Sequence, residues 1–114
     1  MQLAAPPGCE AAARRFYGDV LGLPEVAKPE LLGARGGVWF QVGAQQLHIG
    51  VEEGFLPARK AHPALRVAAG DLERLAGQLA ALGAKVAWDD SLPSVRRFYT
   101  EDPWGNRLEL LTGV

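Results

Sequence analysis

The sequence predicts an α+β fold built from two βαβββ repeats, and three observations predict it. First, features recur at a constant offset. Leu21-Gly22 closes a helical pattern and Leu82-Gly83 closes another 61 residues later; His48 in Leu47-His48-Ile49 and Glu109 in Leu108-Glu109-Leu110 are also 61 apart. Second, each half has a short strand pattern, then a helical pattern, then further strand patterns. Third, each half ends on two strand-like runs joined by turn-forming residues, Gly43-Ala44 in one and Asp102-Pro103-Trp104-Gly105-Asn106 in the other.

In the first repeat, about residues 1–54, Gln2–Ala5 reads as a strand and Pro6-Pro7-Gly8 breaks it. A helix is expected over Cys9–Leu21, with Ala12, Phe16 and Val20 on one face and Gly22 as its stop. Pro24–Ala27 reads as a short irregular strand, and Lys28–Gly37, rich in glycine, as a loop or a poorly formed strand. Val38–Val42 and Gln46–Val51 form a hairpin around Gly43. Phe40 and Phe98, 58 apart, are read as equivalent, the offset shortened by the longer second turn.

Glu52–Ala61 is the linker, and the second repeat, about residues 62–114, runs in the same order. Ala64–Ala68 is a strand, and Asp71 is placed to N-cap a helix over Leu72–Leu82. The buried stripe of that helix is Leu72, Leu75, Ala76 and Leu79. Lys85–Trp88 is a strand, Asp89–Ser94 a loop, and Arg96–Thr100 and Arg107–Leu111 are the last two strands. Neither repeat can bury its faces alone, so residues 1–114 are expected to form one domain. Its incomplete, curled mixed sheet would surround a central cavity with the helices outside. Strand edges left open by such a sheet are expected to be covered in a homodimer.

Composition removes several classes of function. The net charge of −1 carries no footprint for nucleic acid or an anionic membrane. No apolar run approaches the roughly 20 residues of a membrane span. Met1-Gln2-Leu3-Ala4 lacks the pattern of a signal peptide, and a lone cysteine forbids an internal disulfide, so a cytoplasmic protein is expected. Cys9 has no histidine near it in sequence and reads as an inert small residue.

The candidate chemistry lies in His48, His62 and Glu109. Alternation along a strand turns His48 away from Leu47 and Ile49, and Glu109 away from Leu108 and Leu110. A carboxylate on an inward face is costly unless it is paired or metal-bound. His48 and Glu109 are repeat mates, and the mate of His62 falls at Met1 or just before it. Three filled positions out of four, two imidazoles and a carboxylate, suit Zn, Ni, Mn or Fe as one divalent ion. A fourth ligand is expected upstream of Met1, or the three-residue site is native. Taken singly, each residue also fits a bland role: a satisfied strand histidine, or a carboxylate facing solvent.

Arg15-Phe16-Tyr17-Gly18-Asp19-Val20-Leu21-Gly22-Leu23 resembles the first-helix signature of the glyoxalase, bleomycin-resistance and extradiol-dioxygenase superfamily, also called vicinal oxygen chelate. Asp102-Pro103-Trp104-Gly105-Asn106-Arg107-Leu108-Glu109 resembles that superfamily's last hairpin. The resemblance implies metal ligands on the first and last strands of each repeat, which carries over onto His48, His62 and Glu109. The first-strand ligand is not carried over, because Met1 and Gln2 are not histidine. By resemblance, the ion would chelate adjacent oxygens of a small substrate in a lyase, isomerase or transferase. Glu109 could double as a catalytic base. Arg97, one of a pair with Arg96, could hold an anionic substrate, Tyr99 could donate to a substrate oxygen, and Trp39 could line an apolar pocket. Trp88 and Trp104 read as packing. The alternative is a metal-free protein that sequesters a small apolar or aromatic compound.

Overall fold

A computed structural model describes residues 1–113. The fold is α+β, with two four-stranded mixed sheets. Two compact units divide the chain, Met1–Pro57 and Ala58–Val114. The first contains β1 (Gln2–Ala5), α1 (Glu10–Ala13), β2 (Glu25–Val26), β3 (Val38–Val42) and β4 (Gln45–Val51), with sheet order β1-β4-β3-β2. The second contains β5 (Ala64–Arg66), α2 (Leu72–Ala81), β6 (Val86–Asp89), β7 (Val95–Glu101) and β8 (Arg107–Gly113), with order β5-β8-β7-β6. The topology of one repeat is that of the other: a parallel outer strand, a helical crossover, then an antiparallel meander. Among the described residues, no helix is long and apolar enough to cross a membrane.

The first helix departs from its expected form. One turn of α-helix continues as a π-helix over Arg14–Val20, closed by the Leu21 N–H donating to the Phe16 carbonyl at 3.0 Å. Its buried residues are Cys9, Ala13, Phe16 and Tyr17, in place of the stripe through Ala12, Phe16 and Val20. Widening the helix lets two adjacent rings reach the sheet. Tyr17 is fully buried, 4.9 Å from Phe16 and 5.8 Å from Phe40 between ring centroids. Between β2 and β3 the chain forms a 3₁₀ helix, Glu30–Arg35, where a loop or weak strand was expected. The Glu10 carboxylate accepts a hydrogen bond from the Gly37 N–H at 2.6 Å, and the Lys28 ammonium donates to the Gly36 carbonyl. The double glycine is required here: Gly37 has φ +88°, and a Cβ would stand 2.2 Å from the Ile49 carbonyl oxygen.

In the second unit α2 buries Leu72, Leu75, Ala76 and Leu79 as its spacing predicts, against Phe98, Leu108 and Leu110 of the sheet. Asp71 does not cap α2 with its side chain; it sits at the end of a 3₁₀ turn and pairs with Arg74 at 3.1 Å. Trp88 is not buried packing. It is 45% exposed, with its ring between Phe98 and the Arg96 guanidinium.

Strand register refines the repeat. Trp39 pairs with His48 across β3–β4, and Tyr99 pairs with Glu109 across β7–β8. Trp39 is therefore the mate of Tyr99, and Phe40 the mate of Thr100 rather than of Phe98. The His48 N–H donates to the Met1 carbonyl, and the Glu109 N–H to the Pro63 carbonyl, so Met1 is the mate of Pro63. No residue of this sequence is the mate of His62.

Candidate metal-binding pair

Glu109 stands in the middle of β8 because Leu108 and Leu110 take the opposite, core-facing side. It is 7% exposed, and its two carboxylate oxygens have different partners. Oε1 lies 3.1 Å from Nε2 of His62, which precedes β5 and so lies beside β8. Oε2 accepts from Nη1 of Arg97 at 3.2 Å. Arg97 in turn donates through Nη2 to Asp89 Oδ2 at 3.4 Å and to Ser91 Oγ at 3.3 Å. Its Nε is buried without a partner. Tyr99 flanks the group, its ring edge-on to His62 at 5.3 Å and beside the Arg97 guanidinium at 5.5 Å. Neither Asp89 nor Ser91 carries a local sequence signal: Asp89 reaches Arg97 through the β6–β7 register, and Ser91 through the loop that follows β6.

The tautomer of His62 follows from its other nitrogen. Nδ1 lies 2.8 Å from the Lys60 carbonyl, which only accepts, so Nδ1 carries the proton. Nε2 then presents its lone pair to a carboxylate oxygen. Two species complete such a contact: a second proton, giving an imidazolium–carboxylate pair, or a divalent cation. A divalent ion fits the donors. His62 Nε2 and Glu109 Oε1, 3.1 Å apart, are an imidazole nitrogen and a carboxylate oxygen of the kind that would hold such an ion. The Lys60 carbonyl and Arg97 are the kind of outer partners that orient a ligating imidazole and carboxylate.

His48 lies in the first unit, on the face of β4 opposite Leu47 and Ile49, as alternation requires. Its ring stacks on Trp39, parallel and 3.6 Å away, and its Nε2 lies 2.9 Å from the Gln46 side-chain oxygen. Burial, and then the charge of the Met1 ammonium, push its pKa down, which favours the neutral imidazole a metal requires. Trp39 and His48 both line a pocket of about 320 Å³ in that unit, with Lys28 and Arg35. Among the described residues no three His, Cys, Asp or Glu side chains cluster as a metal site. Cys9 is 2% exposed, and burial raises its thiol pKa, so nothing activates it.

The model of the glyoxalase-like domain family matches residues 9–111. The chain belongs to the glyoxalase-like domain family. Its relatives of known structure lie in the vicinal oxygen chelate superfamily. A protein from Bacillus anthracis assigned to the glyoxalase family is 48% identical, with a TM-score of 0.90 over 99% of this chain and 91% of that one. The lactoylglutathione lyase of Agrobacterium tumefaciens is 24% identical, with a TM-score of 0.70 over 99% of this chain and 92% of that one. A variant of the fosfomycin resistance protein FosX from Listeria monocytogenes, complexed with Mn(II) and 1S,2S-dihydroxypropylphosphonic acid, is 14% identical. Its TM-score is 0.80 over 99% of this chain and 88% of that one. The last two likenesses show the fold alone. A comparison with curated proteins finds no match.

Proposed function

We propose that this glyoxalase-like protein is a divalent-metal-dependent lyase, isomerase or transferase acting on a small molecule with adjacent oxygens. The contact between His62 Nε2 and Glu109 Oε1, with each residue's other polar atom already satisfied, carries the reading. His62 and Glu109 are the ligands of the second unit, and His48 holds the equivalent strand position in the other repeat. The metal is Zn, Ni, Mn or Fe; the FosX relative was crystallised with Mn(II). When bound, the ion supplies Lewis acidity that stabilises negative charge on a substrate oxygen.

The chain's own residues do the rest. Arg97 holds Glu109 Oε2, so Oε1 is the oxygen left to bind or to take up a substrate proton. The Lys60 carbonyl keeps the His62 proton on Nδ1. Tyr99, whose ring stands edge-on to His62, supplies a hydroxyl donor for a substrate oxygen, and Trp39 offers an apolar wall in its own unit. We place the protein in the cytoplasm as a homodimer.

Titration of chelator-treated protein with Mn(II), Zn(II) and Ni(II) tests the proposal. One ion per chain is expected, with binding at least tenfold weaker in His62→Ala and Glu109→Gln, and unchanged in Trp88→Ala. Absence of binding in the wild type, or full binding in His62→Ala, would overturn it. The absence of a three-residue cluster among the described residues favours a second reading, sequestration of an apolar or aromatic compound without metal. That reading expects no metal uptake and saturable quenching of tryptophan fluorescence by such a compound.

A further inference from the structure

Several arginines are held by carboxylates: Arg14 by Glu25, Arg96 by Glu73, Arg97 by Glu109 and Asp89. Three cations of the second unit do not. Arg59, Lys85 and Arg107 line one pocket of about 270 Å³, and none has an ion pair or side-chain hydrogen bond among the described residues. A single carboxylate, Glu101, also lines the pocket. It lies opposite Arg107 in the β7–β8 ladder but makes no ion pair with it. Three cations against one anion leave an excess of two positive charges.

Arg107 is not free to swing like an ordinary surface arginine. Its guanidinium carbon lies over the Tyr99 ring, 4.2 Å from the centroid, a cation–π contact that restrains the side chain and uses none of its N–H donors on a protein oxygen. Tyr99 is also the residue that touches His62. One ring therefore joins the cationic pocket to the candidate metal pair. The pocket has room for about nine waters at about 30 Å³ each, enough for an oxyanion and two or three carbons.

We infer that Arg59, Lys85 and Arg107 form an oxyanion subsite, and that the substrate is a small organic acid whose carboxylate or phosphoryl group binds there. Its position next to Glu109 as a substrate site rests on the proposed function; anion binding itself does not. Guanidinium forks suit the paired oxygens of a carboxylate or a phosphoryl group, and Lys85 adds a compact charge. Arg97, with its two terminal nitrogens held by protein oxygens, is not needed for this task.

The experiment uses chelator-treated, full-length protein at constant ionic strength. Inorganic phosphate and acetate are titrated separately, and the arginine Nε–H resonances are followed by NMR. Saturable shifts of the Arg59 and Arg107 resonances are expected with at least one of the two anions, and the better anion tells phosphoryl from carboxylate. Arg107→Met and Lys85→Met should each weaken binding about tenfold, the loss of one charge-assisted contact. Arg107→Lys should fall between, and Arg66→Met, outside the pocket, should bind as wild type. Mn(II) affinity should be unchanged in Arg107→Met, so failure of the subsite and failure of the metal pair read out separately. No saturable shift with either anion, or wild-type affinity in both Arg107→Met and Lys85→Met, would overturn the inference.

Discussion

Asp102→Ala should be the most damaging polar substitution in the second unit. Asp102 is 5% exposed at the head of the β7–β8 hairpin. Its Oδ1 accepts from the backbone N–H of Trp104 at 3.0 Å and of Asn106 at 2.8 Å, and its Oδ2 accepts from the Asn106 side-chain amide at 2.8 Å. The Asp102 N–H donates to the Asn106 carbonyl, and the Gly105 N–H to the Asp102 carbonyl, closing the five-residue turn. Alanine removes three charge-assisted bonds and strands donors in a buried turn. At about 1 kcal/mol net per bond, the central value for an ordinary hydrogen bond and below the range for bonds to charged groups, the loss is at least about 3 kcal/mol. For a chain of this length that corresponds to about 10–12 °C in melting temperature. Asp102→Asn keeps an oxygen for the two backbone donors but turns an amide against Asn106, so it should cost about 1–2 kcal/mol. The same turn fixes the register that sets Tyr99 opposite Glu109. Urea unfolding followed by circular dichroism measures both variants. A loss below about 0.5 kcal/mol for Asp102→Ala, or equal losses for the two variants, would show that the Asp102 carboxylate does not hold the turn.

Other outcomes follow from the same structure. Gly37→Ala should lower the melting temperature more than Gly54→Ala, although both glycines have positive φ, because only the Gly37 Cβ meets a carbonyl oxygen; differential scanning calorimetry compares them. Phe98→Ala, at a fully buried position, should cost about 3–5 kcal/mol in denaturant unfolding. The Gly37 N–H, the first cause, holds the Glu10 carboxyl below its ordinary 4.5. That contribution is full above pH 4.5 and is lost as pH falls through the lower folded value. Glu10→Gln should flatten that acid limb of the stability profile, and a wild-type profile unchanged by the substitution would count against the bond. Cys9 should react with a thiol reagent at pH 8 only after denaturation; rapid native labelling would contradict its burial.

Much of this was legible in the sequence because repeats and alternation are local signals. The spacing of Leu72, Leu75, Ala76 and Leu79 gave α2 its buried face, and the apolar neighbours of His48 and Glu109 gave both residues their side of the sheet. What failed to show depends on tertiary packing. The π-helix arises from burying Phe16 and Tyr17 together, and the 3₁₀ helix before β3 from the tight Gly36-Gly37 approach to β4. Equating Phe40 with Phe98 matched residue type, whereas register is set by backbone pairing. In the site, His62, just before β5, meets Glu109 on β8, and Asp89 reaches Arg97 as its register partner at the end of β6, while Ser91 and Lys60 join through loop backbone that no periodicity encodes.

If His62 Nε2 and Glu109 share a metal ion, nitrogen-15 NMR of the imidazoles during Zn(II) titration detects it at the ligating atom. Before metal, the His62 Nδ1 resonance should be that of a protonated nitrogen bonded to a carbonyl. With one equivalent of Zn(II), the Nε2 resonance should move to a metal-bound position while Nδ1 keeps its proton, and Glu109→Gln should abolish the change. A His62 ring whose two nitrogens do not respond to Zn(II), or that binds through Nδ1, would contradict the account.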